Sequence, residues 1–277
     1  MAMRGFAAAV GLLILLSGCE STRTDFEIPP IEPIVGSIAI GNAPLDGVLF
    51  RSRDITRITG GGASGTIERN AVWSVDKVAT EDEVALTARL RELSFASTGA
   101  VEQDGLSESQ MKDLIDHLAV LIAINVRTGQ TSVKLAGAEN VQAEMGKMSH
   151  AFETFGESLA AAYLGGRELI QGQELHVLDA PGLAEGFGDG VAIDVVEQVS
   201  GRTAYGNRPV VVIDGGGTVR MPGGDVFFVK GRSLVDVETG IHAFTDMTIE
   251  AYMRARGVTI RQRQTVNADF GRGGSWF

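Results

Sequence analysis

Short runs of β-branched and apolar residues, separated by glycines, dominate the chain and restrict what it can fold into. Residues of this kind favour strands, and the glycines between the runs favour turns. In the clearest run, Ile241, Ala243 and Thr245 alternate with residues that would face the other way, which is the period of a sheet strand. The predicted strands are 48–58, 67–78, 118–127, 175–179, 191–199, 210–213, 226–237 and 241–249.

Two tight turns between these runs predict hairpins, and therefore a largely antiparallel, curved sheet. Thr128-Gly129 and residues 238–240 each place a glycine where the backbone needs a positive φ.

The segment after Thr80 is ambiguous. Thr80 followed by Glu83 resembles a helix capping box, whereas the apolar alternation over 84–90 favours a strand, and we predict a strand there.

One long amphipathic helix is predicted over about 138–164. Its apolar residues recur every three or four positions, so they share one stripe. The stripe consists of Val141, Met145, Met148, Phe152, Phe155, Leu159 and Tyr163. A shorter helix is predicted near 107–117, after a serine cap. The fold class predicted is therefore α+β, with the long helix packed on the sheet, and Met145, Met148, Phe152, Phe155 and Leu159 form either core or a candidate apolar groove.

The first nineteen residues have the layout of an export signal that ends in the chain's single cysteine. Arg4 precedes an apolar stretch, 5–16, that is too short to span a membrane. Residues 16–19, Leu-Ser-Gly-Cys, resemble the lipobox of bacterial lipoproteins. The resemblance implies removal of the signal peptide 1–18, cleavage between Gly18 and Cys19, and acylation of Cys19. The alternative is an ordinary secretory signal with a fortuitous cysteine.

The lipobox resemblance also implies a location in the cell. Acyl chains on Cys19 would hold the protein on a membrane without spanning it. Residue 20 is Glu rather than Asp, and in enteric lipoproteins Asp at that position favours the inner membrane. We therefore expect the outer membrane, facing the periplasm. The expected organisation is a lipidated, proline-rich tether over 19–33, a single domain over 34–266 and a flexible tail over 267–277.

The charge of the chain argues against nucleic acid as a partner. The net charge is −11, and a phosphate-binding surface needs a basic footprint. The arginines gather near the two ends of the domain, where we interpret them as solvated faces paired with Asp and Glu. They are Arg51, Arg53, Arg57, Arg254, Arg256, Arg261, Arg263 and Arg272.

Glycine-rich stretches and histidines suggest no cofactor. The stretch 210–221, VVVIDGGGTVRM, resembles superficially the phosphate loop of actin-like ATPases. That fold needs a second, similar loop, which this chain lacks. We therefore predict a strand, a glycine turn and a return strand over 210–221, with no bound nucleotide. His117, His150, His176 and His242 lie at no metal-binding spacing, and no metal is predicted. No nucleophile elbow occurs, so no catalytic residue is predicted.

The resulting functional hypothesis is a membrane-anchored envelope lipoprotein with a non-catalytic binding or structural role. Its expected partners are the membrane, through the lipid on Cys19, and other envelope proteins. The alternative is a periplasmic carrier that binds a lipid or another hydrophobic ligand between sheet and helix. An envelope hydrolase is the third reading, because the pairing of carboxylates in space is invisible in a sequence.

Replacing Cys19 with serine tests the anchor. Because the thiol would accept the diacylglyceryl group, Cys19→Ser should move the protein from the detergent phase to the aqueous phase on phase partitioning, and mass spectrometry should show no acyl chains. Ser17→Ala, which keeps a small residue, is the control and should stay lipidated. A parent protein that begins elsewhere and carries a free cysteine would contradict the lipobox prediction.

Overall fold

The computed structural model describes thirteen strands and one named helix. The residues it describes are 29–61, 64–99, 108–137, 152–153, 156–157, 159–160, 162–175, 191–253 and 257–270. The elements are β1 (Ser37–Ala39), β2 (Leu45–Gly60), β3 (Gly65–Ala79), β4 (Glu83–Gly99), α1 (Glu108–His117), β5 (Ala119–Asn125), β6 (Thr131–Ala136), β7 (Glu168–Ile170), β8 (Glu174–Leu175), β9 (Ala192–Tyr205), β10 (Arg208–Arg220), β11 (Val226–Asp236), β12 (His242–Met253) and β13 (Val258–Asp269). Within those ranges no helix has the length and hydropathy that a membrane-spanning segment requires.

Eleven of the strands form one antiparallel sheet. Its order is β6-β5-β4-β3-β2-β13-β12-β11-β10-β9-β8, and β1 pairs with β7 in a second, two-stranded sheet. The large sheet therefore consists of two meanders, β2–β6 and β8–β13. They are joined where β2 pairs with β13, from Leu49↔Asp269 to Gly60↔Val258. We call this pairing the seam.

One face of the sheet, the inner face, carries the core. Phe50, Trp73 and Leu86 lie on it and pack with Leu114 of α1 and with Phe152. A second apolar cluster covers the other meander, where Ile34, Ile40, Leu164 and Leu169 pack on Val211, Ile213 and Val235. Burial on this scale supplies most of the stability of a sheet protein, since each such side chain contributes about 1.5 to 3 kcal/mol.

The opposite, outer face carries ion pairs between neighbouring strands. Arg53 pairs with Glu68 at 2.7 Å, and Arg263 pairs with Asp246 at 2.9 Å. Partly exposed pairs of this kind contribute about 0 to 1 kcal/mol each, so they keep the face solvated more than they stabilise it. The prediction that these arginines form solvated, paired faces holds for Arg53 and Arg263, while Arg254, Arg256 and Arg272 lie outside the described residues.

The prediction of an α+β fold with one long helix is wrong, although the antiparallel sheet it included is confirmed. Strands dominate the described chain, and α1 is the one helix named in it, at the position predicted near 107–117. Between 152 and 160 the described residues are helical, but Ala162 is in a turn, and 138–151 lie outside the described residues. Apolar periodicity indicates which side of a segment is buried. The length of a helix also depends on the contacts that the segment makes with the rest of the protein.

The glycine run at 214–217 is not a turn, which corrects a second prediction. β10 passes straight through it and is paired on both sides, with Gly215 opposite Glu197 of β9 and Gly231 of β11. Glycine is required here by crowding rather than by a bend, because a Cβ on Gly217 would overlap the backbone oxygen of Asp194. Glycine within a strand commonly marks such a close approach.

Other local predictions agree with the fold. Residues 83–99 form β4, so the strand reading of 84–90 is confirmed. The Thr80–Glu83 pair closes the β3–β4 turn instead of capping a helix, since Thr80 N donates to Glu83 O and Glu83 N donates to Thr80 Oγ1. Gly129 and Gly240 adopt φ of +70° and +73° in their turns. β13 ends at Asp269, three residues beyond the predicted domain limit of 266.

Two alanine substitutions in the glycine run distinguish a strand from a turn. Gly217→Ala should lower the free energy of unfolding by about 1 to 3 kcal/mol, because its Cβ must displace the β9 backbone. Gly216→Ala is the matched control, since its Cβ would lie 3.4 Å from the nearest atom, Val229 O, and should cost less than about 0.5 kcal/mol. Equal tolerance of both changes in chemical denaturation would contradict the pairing described here.

Candidate functional site

A single row of residues crosses the inner face through seven paired strands. Antiparallel partners that lie directly opposite point to the same side, so the row can be followed from one strand to the next. It runs Arg69, Asp54, Gln264, Met247, Gly231, Gly215 and Glu197. We call this set the inner-face row, and it combines a buried polar group on the seam, two glycines and a separate carboxyl.

The seam end of the row is a hydrogen-bonded carboxylate. Asp54 is 2% exposed and accepts hydrogen bonds from Gln262 Nε2 at 2.8 Å and from Thr56 Oγ1 at 3.1 Å. Arg69 Nη1 lies 3.9 Å from Asp54 Oδ2, and burial lowers the pKa of Arg69 while the negative charge of Asp54 raises it. The hydrogen bonds to this enclosed carboxylate form only when β2 and β13 are correctly aligned, so Asp54 favours one alignment of the seam.

The far end of the row is a carboxyl in apolar surroundings. Glu197 lies between Val195 and Val199 on β9 and is directly opposite Gly215. Its Cγ and Oε1 come within 3.0 and 3.7 Å of the position that a Cβ on Gly215 would take, so its side chain leans over the glycine. Burial raises the pKa of Glu197 to about 7. This residue can therefore donate or accept a proton near neutral pH.

The two inner-face carboxyls do not form a catalytic pair on neighbouring strands. Asp54 on β2 and Glu197 on β9 are separated by five strand spacings, or about 24 Å measured along the sheet. Glycosidase carboxylates act across about 5 to 9.5 Å. Asp54 and Glu197 thus lie on strands that are not neighbours in the sheet.

A second buried polar cluster holds the β11–β12 turn against the sheet. Lys77 is fully buried and donates to the carbonyl oxygen of Thr239, with its ammonium 5.2 Å from the centre of the Tyr163 ring. Burial lowers the pKa of Lys77 to about 8, and the charge of Asp236 opposes that shift. Asp236 is also fully buried and accepts two hydrogen bonds from Arg208, at 2.6 and 2.9 Å. The enclosure of these groups indicates a structural role.

Sequence reasoning missed Lys77 and Glu197, although a signal for each was present. Lys77 continues the alternation of Trp73 and Val75, which places it on the buried side of β3. Glu197 similarly continues the alternation of Val195 and Val199. A charged residue at a position whose period predicts burial is the signal that would have found both.

The histidines give no metal site within the part of the chain that the structure describes, where no cluster of His, Cys, Asp and Glu could hold an ion. His117 ends α1, with Nδ1 3.0 Å from Asp113 O. The Nδ1 atom of His242 lies 3.3 Å from Thr245 Oγ1, and burial lowers the pKa of His242 to about 4. His150 and His176 lie outside the described residues.

Only part of the predicted groove can be placed. Phe152 is buried and meets Trp73 edge to face, with ring centres 6.0 Å apart. Leu159 is partly buried against the same cluster. Both contacts are those of core residues. Met145, Met148 and Phe155 lie outside the described residues, as do Gly18 and Cys19 of the lipobox.

Comparisons with known proteins assign no family. No family model matches the chain, and no curated protein matches it. Among solved structures it is similar to a DUF1329 family protein from Desulfovibrio piger, with 7% identity over 98% of this chain and 94% of that one and a TM-score of 0.19. It is also similar to a β-barrel-like protein of the domain of unknown function DUF1849 from Brucella abortus, with 11% identity over 83% of this chain and all of that one and a TM-score of 0.19. Scores this low carry no argument about function.

Glu197 and His242 should give opposite pH dependences of stability. The pKa of Glu197 is about 7 in the folded protein against 4.5 when unperturbed, so its contribution to stability is lost as pH rises from 4.5 to 7. The pKa of His242 is about 4 against 6.5, so its contribution is lost as pH falls from 6.5 to 4. Relative to the parent, Glu197→Gln should therefore gain stability as pH rises through its window, and His242→Gln should lose it.

Chemical denaturation at half-unit steps from pH 4 to 7.5 measures both differences. Asp194→Asn is the control, because it removes a carboxylate from the exposed side of the same strand as Glu197. Flat differences for Glu197→Gln and His242→Gln would show that neither group is perturbed by burial.

Proposed function

We propose that this protein is a lipid-anchored envelope protein with a non-catalytic binding or structural role, served by the inner face of its sheet. The observation that carries the proposal is the difference between the two faces. The outer face carries ion pairs and one buried apolar cluster around Val210, Val212 and Leu234, whereas the inner face carries apolar clusters on both sides of a row of polar residues and glycines.

The start of the described chain supports anchoring close to a membrane. Glu32 forms a bridge with Arg202 of β9, and Thr203 Oγ1 donates to the carbonyl oxygen of Pro29 at 3.1 Å. The last third of the predicted tether therefore contacts the sheet. Pro29 follows Cys19 by ten positions, and ten residues extend over at most about 36 Å. A lipid on Cys19 would keep the domain within that distance of the bilayer.

The distribution of titratable groups supports binding over hydrolysis. Asp54 is engaged by Gln262 and Thr56, and Lys77 is enclosed by the core. Neither side chain offers a reactive atom to solvent in the described structure. A hydrolase would need a pair of accessible groups within reach of one bond.

The second candidate function is that of a carrier for a lipid or another hydrophobic ligand. It is favoured by an apolar cluster, which we call the lower cluster, at the end of the second meander. Its members are Val191, Ile193, Val195, Val219, Met221, Phe227, Val229, Met247, Ile249 and Ala251. All belong to β9–β12 or to the residues that adjoin β9 and β10, so among the described residues the sheet alone forms this cluster, and its six core members are buried.

Native mass spectrometry of the protein extracted from membranes in mild detergent separates the functions. A bound protein partner supports the binding or structural role, and stoichiometric extractable lipid supports the carrier. The Cys19→Ser chain is the control, because any lipid it retains cannot be the covalent anchor. Turnover of glycan, ester or peptide substrates at catalytic concentrations of pure protein would overturn the non-catalytic proposal.

A further inference from the structure

Two aromatic side chains are exposed side by side on the outer face. Phe228 of β11 is 61% exposed and Tyr252 of β12 is 56% exposed, and in the described part of the chain no other aromatic residue is as open to solvent. Phe228 is directly opposite Glu250, and Tyr252 follows Glu250 by two positions, so the two rings are diagonal neighbours about 7 to 8 Å apart. Adjoining apolar groups left in water commonly mark an interaction site. We call Phe228 and Tyr252 the aromatic patch.

Two exposed cations flank the aromatic patch. Arg220 of β10 is directly opposite Val226, which is itself directly opposite Tyr252. Lys230 follows Phe228 by two positions on β11, about 7 Å along the strand. Both side chains are exposed, and neither forms an ion pair or a hydrogen bond with another described residue. Their charges are therefore open to a partner.

The acidic groups near the aromatic patch do not neutralise these two cations. Glu250, directly opposite Phe228, is paired with Arg261 of β13. Asp194 lies on β9, two strands away from Phe228 in the sheet. Asp225, in the turn between β10 and β11, has a partner of its own. The patch thus combines two open rings with unpaired positive charge, in a chain whose net charge is −11.

The aromatic patch lies at the end of the sheet that is remote from the tether. The tether contacts β9 at Thr203, which donates to the carbonyl oxygen of Pro29. Asp194, in the same cross-strand row as Phe228, precedes Thr203 by nine positions on that strand, or about 30 Å. A lipid on Cys19 would hold the opposite end of the sheet near the bilayer. This position favours an occupant other than the anchoring membrane.

We propose that the aromatic patch, together with Arg220 and Lys230, docks an acidic segment of a partner protein. Apolar side chains of that segment would pack on the two rings, and its carboxylates would pair with the two cations. Aromatic residues and arginine are enriched at the centres of protein interfaces, where they supply much of the binding energy. The unpaired cations select an acidic partner. The inference concerns the outer face, so it goes beyond the role proposed for the inner face and does not depend on it.

A photoreactive side chain at position 228 tests the docking surface. Phe228→p-benzoylphenylalanine keeps an aromatic ring there, and irradiation of native cells that make the full chain crosslinks it to whatever lies on the ring. We expect one protein adduct, and mass spectrometry of its digest should place the crosslink in an acidic segment. Arg220→Glu combined with Lys230→Glu should lower the adduct yield at least about tenfold, because like charges would then face each other.

The matched control is Lys112→Glu combined with Lys134→Glu. It changes the net charge equally at two exposed lysines that lie on α1 and β6, away from the aromatic patch, and should leave the adduct yield unchanged. Both double variants should melt at the temperature of the parent, since all four side chains are exposed. An adduct with phospholipid, a glycan or a second copy of this chain would show that the inference is wrong. So would the absence of an adduct, or a yield that ignores the charge reversal. The role proposed for the inner face would stand in each case, because native mass spectrometry tests it separately.

Discussion

The pairing of β2 with β13 is the interaction on which the rest of the structure depends. It joins two meanders whose own hairpins are local, and it does so between residues about 200 positions apart in the chain. Loop closure on this scale is entropically costly, and the contacts across the seam must offset it. The buried polar group at the seam adds specificity. A slip of one residue would turn Gln262 and Gln264 to the other face of the sheet and remove the hydrogen bond that Gln262 donates to Asp54.

The inner-face row shows how one sheet can hold two kinds of carboxyl. At the seam Asp54 is surrounded by donors, so its charge is compensated within the protein. At β9 the neighbouring strands contribute glycines and apolar residues, and no described residue pairs with the carboxyl of Glu197. The two environments differ because the row crosses from polar to apolar strands while the backbone pairing stays regular.

Local pattern predicted the strands and hairpins well, because alternation and turn chemistry act over a few residues. β4 and the turns at Gly129 and Gly240 follow directly from it. The same reasoning misread 214–217, since a glycine run favours a turn in isolation. The backbone of β9 approaches β10 too closely for a side chain at Gly217, and that approach is visible only once the strands are paired. The length of the helix predicted over 138–164 was overestimated for a similar reason, because an apolar stripe does not determine where a helix begins and ends.

The sequence by itself determined the period of the strands, the position of their turns and the side of each strand that is buried, because these depend on neighbouring residues. It also contains Leu16-Ser17-Gly18-Cys19, which resembles a lipobox and from which the membrane anchor is predicted. Only the tertiary structure decided that Asp54 meets Gln262 and that Gly215 lies opposite both Gly231 and Glu197. Those relations depend on which strands pair and in which register, and register is set by burial and hydrogen bonding between segments that are distant in the chain.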